Sequence, residues 1–303
     1  METKKLIKIK SITEGHRLSG LPKPQHPLIS IINVADLRVN PEVVGPVIFD
    51  FYTISLKKGC DKLGYGQQKY DFDEGLMAFM APNQVVSGDE NGLRPGVEGW
   101  MLFVHPDFLW NTPLAQKIKQ YEYFHYSVNE ALFLSDKEEV MINGIIENIR
   151  QEYNSSIDKF SQDVIIAQLE LLFTYARRFY ERQFITRKIT NSKVLSRLED
   201  LLTHYFNDDD LIAKGLPTVQ YIAESLNIST KYLSSLLKQL TGQTTQQHIH
   251  SKLIEKAKER LSTTDLSVSE IAYELGFEHS QSFNKLFKTK TRQSPLEFRA
   301  SFN

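Results

Sequence analysis

Cysteine is almost absent from this chain of 303 residues, which contains one, Cys60. A single cysteine excludes an intrachain disulfide, a zinc site built from several cysteines and a CxxC redox motif. Long apolar runs are missing as well, and a membrane span needs about 18 consecutive apolar residues. The lysine-containing N-terminus lacks the apolar core of a signal peptide. The sequence therefore predicts a soluble, cytoplasmic protein that does not interact with membranes.

Net charge is also nearly absent, at −1, but the charges are divided unevenly. Residues 1–213 hold 24 Lys and Arg against 29 Asp and Glu, whereas residues 214–303 hold 12 against 8, which leaves −5 and +4. A basic C-terminal part suits a nucleic-acid partner, although a chance excess on a solvated surface is the alternative. The length predicts about two domains.

Short segments rich in Val, Ile, Phe and Tyr dominate the N-terminal part, at 28–34, 46–58, 76–82 and 99–106. Turn-forming Asn, Gly and Pro residues separate them. Many short strands at regular spacing predict a small antiparallel barrel or sandwich over about 25–110.

Helical periodicity follows over about 113–185, most clearly in 131–152 and 158–185. The second helix carries two apolar stripes, which must both be buried. Either an identical helix of a second subunit covers one of them, which predicts a homodimer through 158–185, or both pack inside one chain. The polar stretch 183–192 is interpreted as the linker, with domains at 1–185 and 186–303. The stripes contain Ile166, Leu169, Phe173, Ala176 and Tyr180, and Ile165, Leu172 and Phe179.

One arrangement of two short helices occurs twice in the C-terminal part, over about 219–241 and 268–290. Each copy has an apolar stripe, a short turn and a second helix with a polar face, as in the helix-turn-helix of DNA readers. The copies lie about 49 residues apart, Ala223 matching Ala272, and an amphipathic helix from about Thr245 to Leu261 joins them. Ser267 and Glu270 form a predicted capping box. A plain helical bundle is the alternative.

Three segments of the C-terminal part carry a family resemblance: 271–277 (IAYELGF), 282–288 (SFNKLFK) and 294–299 (SPLEFR). With 229–234 (STKYLS) and 240–242 (LTG), they closely resemble the DNA-binding domain of AraC/XylS-type transcriptional regulators. The resemblance implies an all-α domain whose two recognition helices enter successive major grooves of double-stranded DNA. It also implies contact with RNA polymerase, and activation more often than repression.

The polar faces of the two second helices supply the predicted DNA contacts. Gln and Asn suit adenine, whereas Lys suits guanine or a phosphate. Ser235 stands where relatives often have arginine, so the first unit is expected to discriminate bases weakly. Arg292 replaces the usual glycine after the last reading helix, where a positive φ is favoured, so backbone strain or a shifted helix end is expected. The predicted contacts are Lys231, Ser234, Ser235, Lys238, Ser280, Gln281, Asn284, Lys285 and Lys288.

The strand-rich part, through its arrangement and residues 75–82 (GLMAFMAP), resembles the cupin-like sensory barrel that often precedes this domain. The fold class expected is therefore α+β. Catalytic cupins hold a metal through closely spaced histidines and a glutamate, whereas the histidines here are scattered. No catalytic residue, metal site or cofactor is predicted. The histidines are His16, His26, His105 and His125.

A small-molecule effector site is predicted inside the barrel, with Tyr52, Tyr65, Trp100 and Phe103 as candidate lining residues because ligand pockets are mainly apolar and aromatic. The sequence thus indicates a sequence-specific DNA-binding regulator, in which an effector alters the relation of the domains through 183–192. Two alternatives stay open. One is a ligand-independent regulator whose first domain only dimerises or binds a protein, and the other is a cupin enzyme with a DNA-binding tail.

Overall fold

A computed structural model describes residues 6–38, 46–58, 75–87, 97–126, 130–155, 158, 160–186, 188–208 and 211–301. The chain divides into two compact units, Met1–Gln183 and Phe184–Asn303. This division lies two residues from the boundary predicted at 185/186. The sheets belong to the first unit, and the second is helical in its described residues.

The strands of the first unit form two sheets among the described residues. The larger has the order β2-β7-β4-β5-β8 and is antiparallel, and the smaller has the order β1-β3-β6. In the smaller sheet β1, which precedes the predicted strand region of about 25–110, pairs with β3 in parallel. The described strand pairs within that region are antiparallel, as predicted. The strands are β1 Ile7–Ile9, β2 Ile29–Asn33, β3 Pro46–Phe49, β4 Tyr52–Lys58, β5 Leu76–Met80, β6 Val85–Ser87, β7 Glu98–Val104 and β8 Leu132–Phe133.

Helices cover one face of the larger sheet. On that face Phe79 contacts Tyr123, and the Tyr123 hydroxyl donates to the Phe173 carbonyl at 3.0 Å. The opposite face carries Phe103, which packs with Phe51 and the residues of the smaller sheet. The helices are α1 Ile12–Leu18, α2 Leu114–Lys117, α3 Asp136–Asn154 and α4 Ser161–Thr186, with 3₁₀ turns at Val34–Asp36, Pro106–Leu109, Ile118–Gln120 and Glu122–His125.

Helix α4 buries both of its predicted apolar stripes within the single chain. Every residue of the two stripes is at most 7% exposed. Of the two alternatives for these stripes, packing inside one chain is therefore the one observed. A third, narrower row remains exposed on this helix, with Val164 and Leu171 seven residues apart and Phe160 just before the helix.

Polar side chains fix the end of α4 to the short strand β8. Arg182 binds both carboxylate oxygens of Glu138, at 3.0 and 2.7 Å, and donates to the Phe133 carbonyl. The buried Gln183 amide accepts from the Phe133 N–H and donates to the Ala131 carbonyl. The first unit thus ends on a helix held by five specific bonds.

The second unit consists of eight helices in its described residues. The segment interpreted as a linker is helical up to 186 and again from 188. Its polar sequence contains neither Gly nor Pro, so nothing in it breaks a helix. None of the helices in the described ranges is long and apolar enough to cross a bilayer. The eight are α5 Lys188–Phe206, α6 Leu211–Lys214, α7 Val219–Leu226, α8 Thr230–Thr241, α9 Thr245–Thr263, α10 Val268–Glu274, α11 Ser280–Thr291 and α12 Pro295–Ala300.

Candidate nucleic-acid interface

The first predicted helix-turn-helix unit consists of α7 and α8. Asn227 ends α7 in the left-handed conformation, with φ 57°, which a short polar side chain tolerates. The Ser229 hydroxyl then accepts from the Tyr232 N–H at 3.1 Å and caps α8. Leu233, Leu236 and Leu237 are fully buried, which fixes the opposite face of α8 outward.

The second unit, α10 and α11, repeats this construction with different residues. The Ser267 hydroxyl accepts from the Glu270 N–H, and the Glu270 carboxylate accepts from the Ser267 N–H at 2.7 Å, so the predicted capping box is confirmed. This hydrogen bonding lowers the pKa of Glu270. Gly276 makes the turn with φ 82°. Phe283 and Phe287 bury one face of α11 completely.

Helix α9, hereafter the connecting helix, joins the two units. Ile249, Leu253, Ala257 and Leu261 are buried along one stripe, as predicted, and contribute to a single core shared by both units. Nineteen residues of uninterrupted helix form a rod of about 28 Å. The two units are thus packed on one rigid element.

The polar face of α11 is open to solvent. Gln281, Asn284, Lys285 and Lys288 are exposed, and Ser280 at the first position is half-buried. Neither lysine forms an ion pair within the described ranges. This surface presents amide and ammonium groups in the geometry that the sequence predicted.

The polar face of α8 is less open. Lys231 and Lys238 are exposed, whereas Ser234 and Ser235 are half-buried. The Ser234 hydroxyl lies 3.3 Å from that of Thr245, because Ser234 is turned toward the connecting helix rather than outward as expected. Leu240, near the end of α8, is 36% exposed. The direct reading surface of the first unit is therefore smaller than that of the second.

Arg292 ends α11 in the left-handed conformation, with φ 65°. Gly242 occupies the matching position after α8, with φ 71°. The predicted strain at Arg292 is thus located in the backbone itself, since a side chain disfavours this region.

The predicted effector-lining residues do not share one side of the larger sheet. Phe103 faces the smaller sheet. Tyr52 and Trp100 lie on the helical side, where Tyr52 contacts Phe124 and the Trp100 indole donates to Asn143 at 2.9 Å. Burial raises the pKa of Tyr52. Tyr65 and Cys60 lie outside the described residues.

Polar residues missed at the sequence level accompany Phe103 on the side between the sheets. Ser30 and Thr53 both pair with Phe103 across neighbouring strands, and Ser55 follows two residues later. All three are at most 3% exposed. Ser30 bonds the buried His16 ring at 2.9 Å, whereas the Thr53 hydroxyl finds no partner among the described residues. The alternation of Thr53 and Ser55 with Ile54 and Leu56 was the signal available in the sequence.

His16, His26 and His105 each make separate local contacts, and His125 lies at the surface. His16 also bonds the Pro22 carbonyl, and the His26 ring packs edge-on against Phe108. His105 accepts from the Asp107 N–H at the start of a 3₁₀ turn, and His125 is exposed. Within the described ranges, no three His, Cys, Asp or Glu side chains are grouped so that they could hold a metal ion.

Comparison with known proteins finds similarity in the C-terminal part of the chain. Residues 222–301 match the family model of a helix-turn-helix domain. A helix-turn-helix transcriptional regulator of Pseudoalteromonas carrageenovora is 33% identical over 116 residues, covering 38% of this chain and 64% of that protein. The transcriptional activator RhaS of Salmonella schwarzengrund (strain CVM19633) is 27% identical over 204 residues, covering 63% and 67%. The C-terminal domain of AraT, a response regulator from Geobacillus stearothermophilus, is 30% identical, with coverage of 36% and 84% and a TM-score of 0.32.

The fold and the tandem motif define a protein with a helix-turn-helix domain of two units. That domain belongs to the AraC type, as the sequence resemblance indicated. The chain spans about half to two thirds of the length of the curated relatives it matches. These relatives are named as transcription regulators.

Proposed function

We propose that this protein is a sequence-specific regulator of transcription that binds double-stranded DNA through α8 and α11 and acts as an activator. The observation that carries the proposal is the exposed polar face of α11, opposite a fully buried aromatic face, on a rod that carries a second such unit. A helix exposed in this way fits the major groove. The activator names of relatives support the sign of regulation.

Within this proposal, side chains of α11 divide into base readers and backbone contacts. Gln281 and Asn284 read adenine edges through paired hydrogen bonds. Lys285 contacts a base or a phosphate, and Lys288, one turn further along, contacts a phosphate. On α8, Lys231 and Lys238 are the exposed contacts, and Ser234 and Ser235 contribute less because they are half-buried.

Two substitutions in α11 test these roles on a duplex selected from a random library. Asn284→Ala is expected to weaken binding to the selected duplex by about 1–3 kcal/mol and to relax preference at one base pair. Lys288→Ala is expected to weaken binding to all sequences alike and to reduce the salt-dependence slope by about 1.

The matched control is Lys258→Ala, an exposed lysine of the connecting helix that lies over the Phe298 ring. It is expected to leave affinity and specificity unchanged. Equal losses on selected and random duplexes for Asn284→Ala, or an effect of Lys258→Ala as large as that of Lys288→Ala, contradicts the assignment.

For the first unit we propose a cupin-like sensory domain with an effector site between the two sheets, which acts on the second unit through 183–192. Ser30, Thr53 and Ser55 support it, because they place buried hydroxyl groups beside Phe103. The Thr53 hydroxyl has no partner among the described residues, which is costly unless something binds it. Such a site suits a small molecule that accepts or donates hydrogen bonds.

A thermal-shift screen of metabolites tests the effector site. A ligand at about 100 times its Kd is expected to raise the free energy of unfolding by roughly 2.7 kcal/mol. Thr53→Val should abolish that shift, and Thr174→Val, at an exposed hydroxyl on α4, should preserve it. If no compound shifts the wild type, the alternative is favoured in which the first domain only dimerises or binds a protein partner. A homodimer through 158–185 and contact with RNA polymerase are part of the proposal in either case.

A further inference from the structure

The first two turns of the connecting helix carry polar residues on the stripe that is otherwise core. Gln246, His250, Leu253 and Ala257 follow one another at i, i+4, i+7 and i+11, and therefore lie on one face. Leu253 and Ala257 are buried, whereas Gln246 is exposed and His250 half-buried. At the N-terminal end of the connecting helix this stripe is therefore outside the core, and its side chains there carry nitrogen atoms.

Both reading helices reach this end of the connecting helix. On one flank the end of α8 touches it, since Thr241 bonds His248 at 2.8 Å and Ser234 approaches Thr245. Helix α11 also packs against the connecting helix, and the charge of Lys290 in its last turn acts on His250. Gln246 and His250 therefore lie between the two reading helices.

Gln246 and His250 form a hydrogen bond through their side chains, in which the roles of donor and acceptor depend on the tautomer of the ring. The Gln246 Nε2 and His250 Nε2 atoms are 2.9 Å apart. With the amide nitrogen facing the ring, that nitrogen donates and the Nε2 of a neutral ring accepts. When the ring takes up a proton, its Nε2 becomes a donor and no longer accepts from the amide nitrogen, so the ring can donate to an acceptor instead.

Charge favours an anion at this position. Burial, followed by the charge of Lys290, lowers the pKa of His250. On the helices packed against the connecting helix, Lys290 is the charged group, among the described residues, whose field shifts that pKa. Lys290 forms no ion pair within the described ranges. An anion here would pair with both cations and offset their mutual repulsion.

We propose that Gln246, His250 and Lys290 bind a phosphate of the DNA backbone where the duplex passes between the two reading helices, and that His250 takes up a proton on binding. The inference rests on the proposed DNA-binding function. It adds a contact outside both helix-turn-helix units and makes affinity depend on pH. Because the DNA-bound ring has the higher pKa, affinity rises as the pH falls from about 8 to about 6.

The test measures affinity of the full chain for a duplex of about two helical turns at fixed salt, at about pH 6 and about pH 8. Wild type is expected to bind about tenfold more tightly at the lower pH, because the bound ring takes up a proton. His250→Gln should lose this difference. His250→Arg should bind at the higher pH as tightly as wild type does at the lower one.

His204→Gln and His279→Gln are the matched controls, on α5 and at the start of α11, and both should retain the full pH dependence. Unchanged pH dependence in His250→Gln, or its loss in His279→Gln, overturns the proposal. Failure of the wild type to bind at either pH overturns the DNA-binding function itself, and is distinguishable for that reason. Calorimetry in two buffers of different ionisation enthalpy reports the proton uptake directly.

Discussion

Gly242 and Arg292 both adopt the left-handed backbone conformation, at the matching ends of α8 and α11. A side chain in the left-handed region costs about 1–2 kcal/mol relative to glycine. Arg292→Gly removes this cost, but glycine also makes the unfolded chain more flexible, which offsets part of the gain. The net expectation is that the substitution raises the free energy of unfolding by roughly 1 kcal/mol. Chemical denaturation followed by circular dichroism measures the change.

Arg292→Ala separates backbone from side chain, because alanine keeps the Cβ that causes the strain. Little change in unfolding free energy is expected for it. If alanine stabilises as much as glycine does, the effect belongs to the arginine side chain and its charge, and the strain argument is wrong.

Single residues also mark how far prediction from sequence reaches. The capping box at Ser267 and the exposed Asn284 followed from spacing alone, because periodicity fixes which side of a helix faces a core. Phe103 and Trp100 were chosen by residue type, which does not say on which side of a sheet each lies. Ser234 was misplaced because the connecting helix approaches α8 from a direction that local sequence does not encode.

At the scale of elements, two glycines with positive φ meet where the loop after α6 approaches the turn of the second unit. A Cβ on Gly276 would lie 3.0 Å from the Gly215 carbonyl carbon and 3.3 Å from the Leu211 carbonyl oxygen. A Cβ on Gly215 would lie no closer than 4.0 Å to the Gly276 carbonyl oxygen. The close approach therefore constrains Gly276 alone.

Gly276→Ala is expected to destabilise the chain by about 2–4 kcal/mol, combining the left-handed penalty with overpacking. Gly215→Ala, the matched control, carries only the first and should cost about 1–2 kcal/mol. Thermal unfolding of both variants measures the difference. Equal losses would contradict a steric role for the contact between these two segments.

Helices with strong hydrophobic periodicity were predicted well, whereas short strands that depend on pairing with a distant strand were not. The connecting helix was placed within two residues of its observed end. The three-residue strands β1 and β6 were missed, and β1 pairs with β3, about forty residues away in the chain. Such pairings depend on long-range contacts that a short sequence window does not contain.

For the whole molecule, the homodimer remains a prediction, with the exposed row on α4 as its surface. Val164→Asp combined with Leu171→Asp should convert a dimer through 158–185 to monomer in sedimentation, because charge in an apolar interface is not solvated. Val140→Asp, on an exposed residue of α3, is the control. If the double variant sediments as the wild type does, this face is not the interface.

Affinity for paired sites gives a second readout of the same change. Two linked reading domains bind paired sites with a raised effective concentration, so loss of the dimer should weaken binding to paired sites more than to a single site.

Because the connecting helix is continuous, it fixes the distance between the two helix-turn-helix units. The connecting helix is about 28 Å long, close to the 34 Å of one turn of B-DNA. The two DNA segments contacted by α8 and α11, here called boxes, are therefore expected to lie one helical repeat apart. Inserting about half a turn between the boxes would rotate the second one to the far side of the duplex, beyond reach of α11. DNA sites for this protein would therefore tolerate changes in base sequence more readily than changes in the spacing of the two boxes.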